Sequence, residues 1–546
     1  MLPVIKDSLE LKIMKKRLME PWKFSQNGLL FLIVILLALG IFFRFVNLDL
    51  KVYWNDETFT SLRISGYTQV ELVQQVFDGH PIGVKDLQKY QRHNPEKSLI
   101  DTVKGLATEE PQLPPLYFVM TKFWVQWFGS SVTVTRGFSA LISLLAFPCI
   151  YWLCRELFEL PLVGAVAIAL IAVSPFHVLY AQEARLYSLW TVTILLSSAA
   201  LLRAMRLKTK LSWGTYAATL SVGFYTCPLS GLVAIGYGIY VVATEKFRLS
   251  KSVIAYLLTS LAGFITFAPW LAIIITNLST VNNTTRTNSY NLPLWSLVDF
   301  WVRNLSYVFF DVKSSHVMEL QSLRNNPVTY FFIPFILILI GYSIYFLCRH
   351  TSQRVWLFIL TLIGVTALFL MLPDLILGGR RSVVPRYLIP CYLGVQLAVA
   401  YLLATQLTTL SANVRRQKFW QLVTLILVTG GVISCAISSQ ADTWWHKYVN
   451  YYTPQAARIV NQAPHPLLIS DSSIGNILCI SYLLEDKVRL LLVNEDRANL
   501  LEIPEGFSDI FLFNPYGISK SLRNELEKEY EIEPVHRRGR IWRLEK

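Results

Sequence analysis

The stretch LVGAVAIALIAVSPFHVLYAQEARLYSLWTVTILLSS, residues 162–198, decides the fold. Two apolar runs, 162–180 and 186–202, are each about long enough to cross ~30 Å of hydrocarbon, and only AQEAR (181–185) separates them. Ionisable groups at membrane depth cost several kcal/mol unless paired or wet, which makes Glu183 and Arg185 functional candidates. The competing interpretation is a local ion pair that holds the turn.

Working outward, further apolar runs centre on 28–46, 137–153, 212–226, 229–243, 252–276, 328–348, 355–372, 387–407 and 418–438, giving about eleven spans. Composition agrees: 53% of the 546 residues are hydrophobic and 16% charged, too few charges to coat a soluble globule of this size. The net charge of +14 therefore speaks of topology before nucleic acid, and no nucleic-acid partner is expected. A basic stretch, Lys12 to Lys23, precedes the first run, so the first span is read as uncleaved with a cytoplasmic N-terminus, residues 1–27. Alternating sides then places Arg203/Arg206/Lys208/Lys210, Lys246/Arg248/Lys251, Arg349/Arg354 and Arg415/Arg416/Lys418 inside, as the positive-inside rule demands.

That register reads PPLYFVMTKFWVQWFG (114–129) as an amphipathic helix at the outer interface, against the alternative of a short tilted span. The expected molecule is an α-helical integral membrane protein of the inner cell membrane, its transmembrane unit covering 28–439. Its outer pieces are 47–135 with interfacial helices, 181–185, 277–327, 373–386 and a soluble extracytoplasmic α/β domain, 440–546. In that domain PLLISD (466–471), KVRLLLV (487–493) and DIFLFN (509–514) read as strands and 519–530 as a charged helix. Trp295, Trp301, Tyr307 and Phe309 mark 277–327 either as an aromatic interface belt or as a lid.

Seven cysteines stand singly, without paired spacing, so neither a disulfide framework nor a metal site is expected. Walker A, GxSxG and HExxH sequences are absent from the chain, which leaves a pump driven by ATP and a zinc protease unsupported. The outer face does carry chemistry. YWNDET (53–58) places Asp56 beside Glu57, and because neighbouring side chains point apart, one acid faces a reacting centre while the other orients it or caps a helix. GGRRSVVPRYLIP (378–390) sets Arg380, Arg381 and Arg386 outside, against the charge trend, with Arg136 at the outer mouth of the second span. Guanidinium forks match phosphate oxygens; the plainer alternative is generic headgroup contact.

These residues carry a resemblance. The acidic pair after the first span, PPLYFVMTKFWVQWFG, TRGFSALISLLAFPCIYWLCREL (135–157), SPFHVLYAQEARLYSL (174–189) and RYLIP (386–390) resemble the GT-C glycosyltransferases. The likeness is to the bacterial branch of the protein O-mannosyltransferase superfamily, which includes the aminoarabinose transferase of lipid A. It implies inverting transfer of a hexosyl or pentosyl unit from a polyprenyl-phosphate donor to a hydroxyl of a glycan, lipid or protein acceptor, on the outer face. Asp56 then matches the acid that deprotonates or positions the acceptor, Glu57 completes the acidic pair, and Glu183 matches a second acid. Arg136 matches a recurrent arginine, while Arg386 with Tyr387 matches a lipid-phosphate contact that Arg185, Arg380 and Arg381 join. Two positions depart from the pattern: Leu113 stands where many relatives have His or Lys, and Thr226-Cys227-Pro228 where they often have His. Both departures bear on the acceptor. A protein cation suffices for an anionic leaving group, so no cofactor is required, and a divalent ion is not indicated. The alternative function, a transporter or flippase of lipid-linked sugar or polysaccharide, predicts internal repeats and mid-membrane charges on paired broken helices, neither of which the sequence shows.

Overall fold

The computed structural model describes residues 26–312, 327–408, 414–444, 446–494, 503–538 and 540–545. Helices follow the apolar runs, because a backbone in hydrocarbon must satisfy its own hydrogen bonds. Among the described residues, eight helices are long and apolar enough to cross a bilayer: Gly28–Phe45, Val132–Leu157, Tyr187–Leu207, Lys251–Thr276, Phe331–His350, Gln353–Ile376, Pro385–Thr408 and Val414–Ser439. Pro161–Ala172 and Pro175–Ala181, bent by 63°, make a ninth if counted as one broken span. The expected count of eleven falls short at 212–226 and 229–243. The helices there, Lys210–Thr226 and Ser230–Thr244, have 17 and 15 residues. At 1.5 Å per residue they reach only about 26 and 22 Å.

The break in the ninth span has a local cause. Pro175 has no N–H to continue the ladder, and Ser174 before it is extended (φ −71°, ψ 118°), the conformation favoured ahead of proline. Carbonyls at the end of the first half would then be orphaned in a dry interior. Arg44, from the first span, meets them: NH1 donates to Ala172 O at 2.7 Å and NH2 to Ile171 O at 3.1 Å. Such an approach needs Gly40, since a Cβ there would lie 2.4 Å from Ala172 O. The second half thus turns aside and delivers residues 181–186 to the next span.

Leu116–Phe128 is a helix of 13 residues, about 20 Å, and is not a span. Its Lys122 does not face water: Nζ donates to Ile64 O at 2.9 Å, closing the end of helix Asn55–Ser65.

Among the described residues, six strands form one sheet: β1 (Ile82–Gly83), β2 (Pro466–Ser470), β3 (Arg489–Leu492), β4 (Asp509–Phe513), β5 (Glu531–His536) and β6 (Ile541–Glu545), in the order β1-β3-β2-β4-β6-β5. β2, β3 and β4 are mutually parallel; the others join antiparallel. β2 is buried along its whole length, which explains its unbroken apolar run. Strands 466–471, 487–493 and 509–514 were legible from that pattern; β5 and β6, more exposed and broken by charged residues, were not. β1 comes from the first outer loop, and the loop shares a core with the sheet: Leu62, Leu72, Leu87 and Tyr90 pack with Leu468, Ile477 and Leu490. Parts of 47–135 and of 440–546 therefore share one core.

Candidate active site

Helix Asn55–Ser65 begins just past the first span, with Trp54 as its N-cap. Glu57, three residues into the cap, accepts the Trp54 N–H at 3.3 Å. It also receives Arg136 through two nitrogens, Nε to Oε1 at 2.8 Å and NH2 to Oε2 at 2.6 Å, and the Ala184 N–H at 2.8 Å. Arg136 spends its remaining donors on Leu48 O, Lys51 O and Val52 O, at 2.6–2.9 Å. One buried knot thus fastens the helix, the second span and the 181–185 turn together. This corrects the expectation for Arg136, which has no donor left for a lipid phosphate, and it decides the question left open for the acidic pair: Glu57 is the acid that caps and orients.

Asp56, roughly 100° further round the helix, points elsewhere. Its Oδ2 lies 3.3 Å from Arg386 NH1, with side-chain exposures of 20% and 22% for the two residues. Arg185 NH1 donates to Asp56 O and Thr60 Oγ1, both at 3.2 Å, fixing the turn to the same helix. Glu183, wholly buried, accepts Lys447 Nζ at 2.6 Å. That ammonium stands 3.5 Å from the centre of the Trp54 ring, while the Arg386 guanidinium lies 5.5–5.7 Å from the rings of Trp54, Tyr187 and Tyr387. Asp56, Glu183, Arg185, Arg386 and Tyr387 thus converge. Arg185 Nε, Arg386 Nε, Trp54 Nε1 and Glu183 Oε1 are buried with no hydrogen-bond partner in the protein, which leaves three donors and one acceptor unsatisfied around Asp56.

Electrostatics follow the packing. Burial works to raise the Asp56 carboxyl, but Arg386, Arg185 and Lys447 outweigh it and hold it below the ordinary aspartate value. Burial raises Glu183 above the ordinary glutamate value despite Lys447, and lowers Lys447 to about 8.

Arg380 and Arg381 remain on the turn after span Gln353–Ile376. Arg381 NH1 is 3.1 Å from Asp374 Oδ1 and closes that turn; Arg380 contacts none of Asp56, Glu183 or Arg386 by hydrogen bond or ion pair. The loop 277–312 packs on this turn, through Trp301 Nε1 to Ser382 Oγ at 2.9 Å and Asn304 Nδ2 to Val383 O at 3.0 Å. Trp295 is exposed and Phe309 buried; 313–326 of the expected lid lie outside the described residues. Among the described residues, no three His, Cys, Asp or Glu side chains converge as metal ligands.

Lys447 is the functional candidate that sequence reasoning missed. Its signal was available: like the three arginines, it is a cation that the expected topology sets outside, against the charge trend, in WWHK just after the last span.

Residues 112–273 match the sequence profile of the dolichyl-phosphate-mannose-protein mannosyltransferase family. No curated protein matches the chain by sequence. Among solved structures, ArnT from Cupriavidus metallidurans in the apo state is 13% identical with a TM-score of 0.50, over 94% of this chain and 97% of that one. The same protein bound to undecaprenyl phosphate is 16% identical, TM-score 0.47, over 94% and 97%. An Archaeoglobus fulgidus oligosaccharyltransferase tethered to an acceptor peptide is 13% identical, TM-score 0.49, over 86% of this chain and 64% of that one. The chain is a multi-span membrane protein of the GT-C glycosyltransferase fold, and its segment 112–273 carries the pattern of the mannosyltransferase family.

Proposed function

We propose that the chain is a membrane glycosyltransferase that moves a sugar from a polyprenyl-phosphate carrier to an acceptor hydroxyl on the extracytoplasmic face, with inversion at the anomeric carbon. The observation that carries the proposal is the Asp56–Arg386 pair: a part-exposed carboxylate held ionised beside a guanidinium that keeps an unused donor. The family matched by 112–273 is described by a polyprenyl-type phosphate sugar, which supports the donor class.

In this scheme the acceptor hydroxyl gives its proton to Asp56 as its oxygen bonds to the anomeric carbon. The carbon–oxygen bond to phosphate breaks on the opposite side, through an oxocarbenium-like transition state, and attack from that opposite face inverts the centre. Charge that builds on the departing phosphate is met by Arg386 and Arg185, already oriented and poorly solvated. Glu57 and Arg136 hold the helix that aims Asp56. The outer body, 47–135 with 440–546, is assigned to the extracytoplasmic side and the N-terminus to the cytoplasm, in the inner membrane.

Purified protein supplied with polyprenyl-phosphate sugars and a cell-envelope extract is the direct test, with the anomeric configuration of the product read by NMR. Transfer with inversion that is lost in Asp56→Asn and persists in EDTA is expected. Undiminished turnover by Asp56→Asn would overturn the assignment.

A further inference from the structure

Lys447 sits in the segment that leads from the last span into the C-terminal sheet, and two hydrogen bonds hold that segment on either side of it. Trp444 Nε1 donates to Val52 O at 2.9 Å, and Asn450 Oδ1 accepts the Asn55 N–H at 2.9 Å. Between these anchors Lys447 is 7% exposed, an uncommon setting for a lysine unless it is paired. Its partner Glu183 is also closed to solvent, so an acceptor arriving from water cannot reach that carboxylate as it stands.

The formal charges around Asp56 are informative. Arg185, Arg386 and Lys447 stand against Asp56 and Glu183, leaving one net positive charge, while Glu57 and Arg136 cancel each other. A sugar phosphodiester carries one negative charge, and the phosphate monoester it leaves behind carries about 1.5 to 2. In a poorly solvated centre, the net charge is what such a leaving group feels. Taking away Lys447 alone leaves the centre neutral, with a buried carboxylate uncompensated. Neutralising Lys447 and Glu183 together restores the single positive charge.

We infer that Lys447 and Glu183 form a charge-balancing pair through which the C-terminal segment sets the net positive charge of the donor-phosphate site and holds the 181–186 turn in position. Lys447 is thus a positioning residue, acting through Glu183 and the field of the centre rather than on the reacting atoms. This rests on the polyprenyl-phosphate reaction proposed above and makes the outer body a constituent of the donor site.

The test uses the full chain in nanodiscs, with undecaprenyl phosphate as the binding probe, and compares wild type, Lys447→Met, Glu183→Gln and the double variant, each with its melting curve. Lys447→Met is expected to weaken binding tenfold or more, and the double variant to return within about threefold of wild type, since each 1.4 kcal/mol is one factor of ten. Wild-type binding by Lys447→Met, or a double variant that melts like wild type yet binds as poorly as Lys447→Met, overturns the pair. Should Lys447→Met fail to fold, Glu183→Gln against the double variant decides: the added lysine charge must tighten binding severalfold, and equal binding overturns the inference. If the binding pattern holds while wild type transfers no sugar from any polyprenyl-phosphate donor, the reaction proposed above fails and the charge pair stands.

Discussion

Two acid–arginine pairs lie side by side in the candidate site, and they differ in one respect. Glu57 and Arg136 are sealed, 0% and 1% exposed at the side chain, with every donor of the arginine engaged. Asp56 and Arg386 are both about one-fifth exposed, and Arg386 keeps a donor in reserve. The two acids are neighbours in the chain, yet helical geometry sends them to different partners. Charge at membrane depth marks both pairs as important. Saturation is what separates a frame from a site: a filled hydrogen-bond shell has nothing left for a ligand.

The largest effect is expected where the sealed pair is broken. Arg136→Met leaves Glu57 buried and unpaired, a loss of about 3–5 kcal/mol, to be seen as a collapse of the melting temperature or of folded yield. Asp56→Asn should do the opposite. Its transfer rate falls by about 10²–10⁴ if Asp56 is the general base, while the melting curve drops far less than in Arg136→Met. If both variants lose stability alike, the contrast between the pairs is wrong.

Arg386→Lys keeps the charge and loses the fork, so polyprenyl-phosphate binding should weaken by roughly tenfold, measured by titration in nanodiscs. A smaller and more diagnostic effect concerns pH. Burial lowers Lys447 to about 8, with Glu183, Arg386 and Asp56 facing it, so phosphate binding should decline above that pH. Lys447→Arg should move the decline upward. Folding stability must move the other way: between about 8 and the ordinary 10.5 the unfolded chain holds the lysine proton more tightly, so stability rises with pH in that window. Lys51, lowered to about 7 by burial and by Arg136, adds a stability term of the same sign. The smallest change is expected from Arg381→Ala. That guanidinium is 36% exposed and committed to Asp374, so phosphate binding should shift less than threefold.

Hydropathy made most of the bundle legible, because each span must be apolar for about twenty residues. It counted Lys210–Thr226 and Ser230–Thr244 as spans; they have 17 and 15 residues, and of the two only Ser230–Thr244 is strongly apolar. It also missed the break at Ser174, although SPF was in plain view, since proline tolerance depends on who meets the freed carbonyls. Arg44 does so from more than a hundred residues away.

The sequence by itself determined the solvent of each segment, the helical class and the short set of outer charges from which any site had to be drawn. Those follow from transfer energies and chain-local rules. Tertiary structure alone decided which charges pair with which. Arg136 went to Glu57 and Arg386 to Asp56, and Lys447 reached Glu183 from the far end of the chain. Ion pairing depends on distance in space and on how many donors a neighbouring backbone has already filled, and neither quantity is written in the order of the residues.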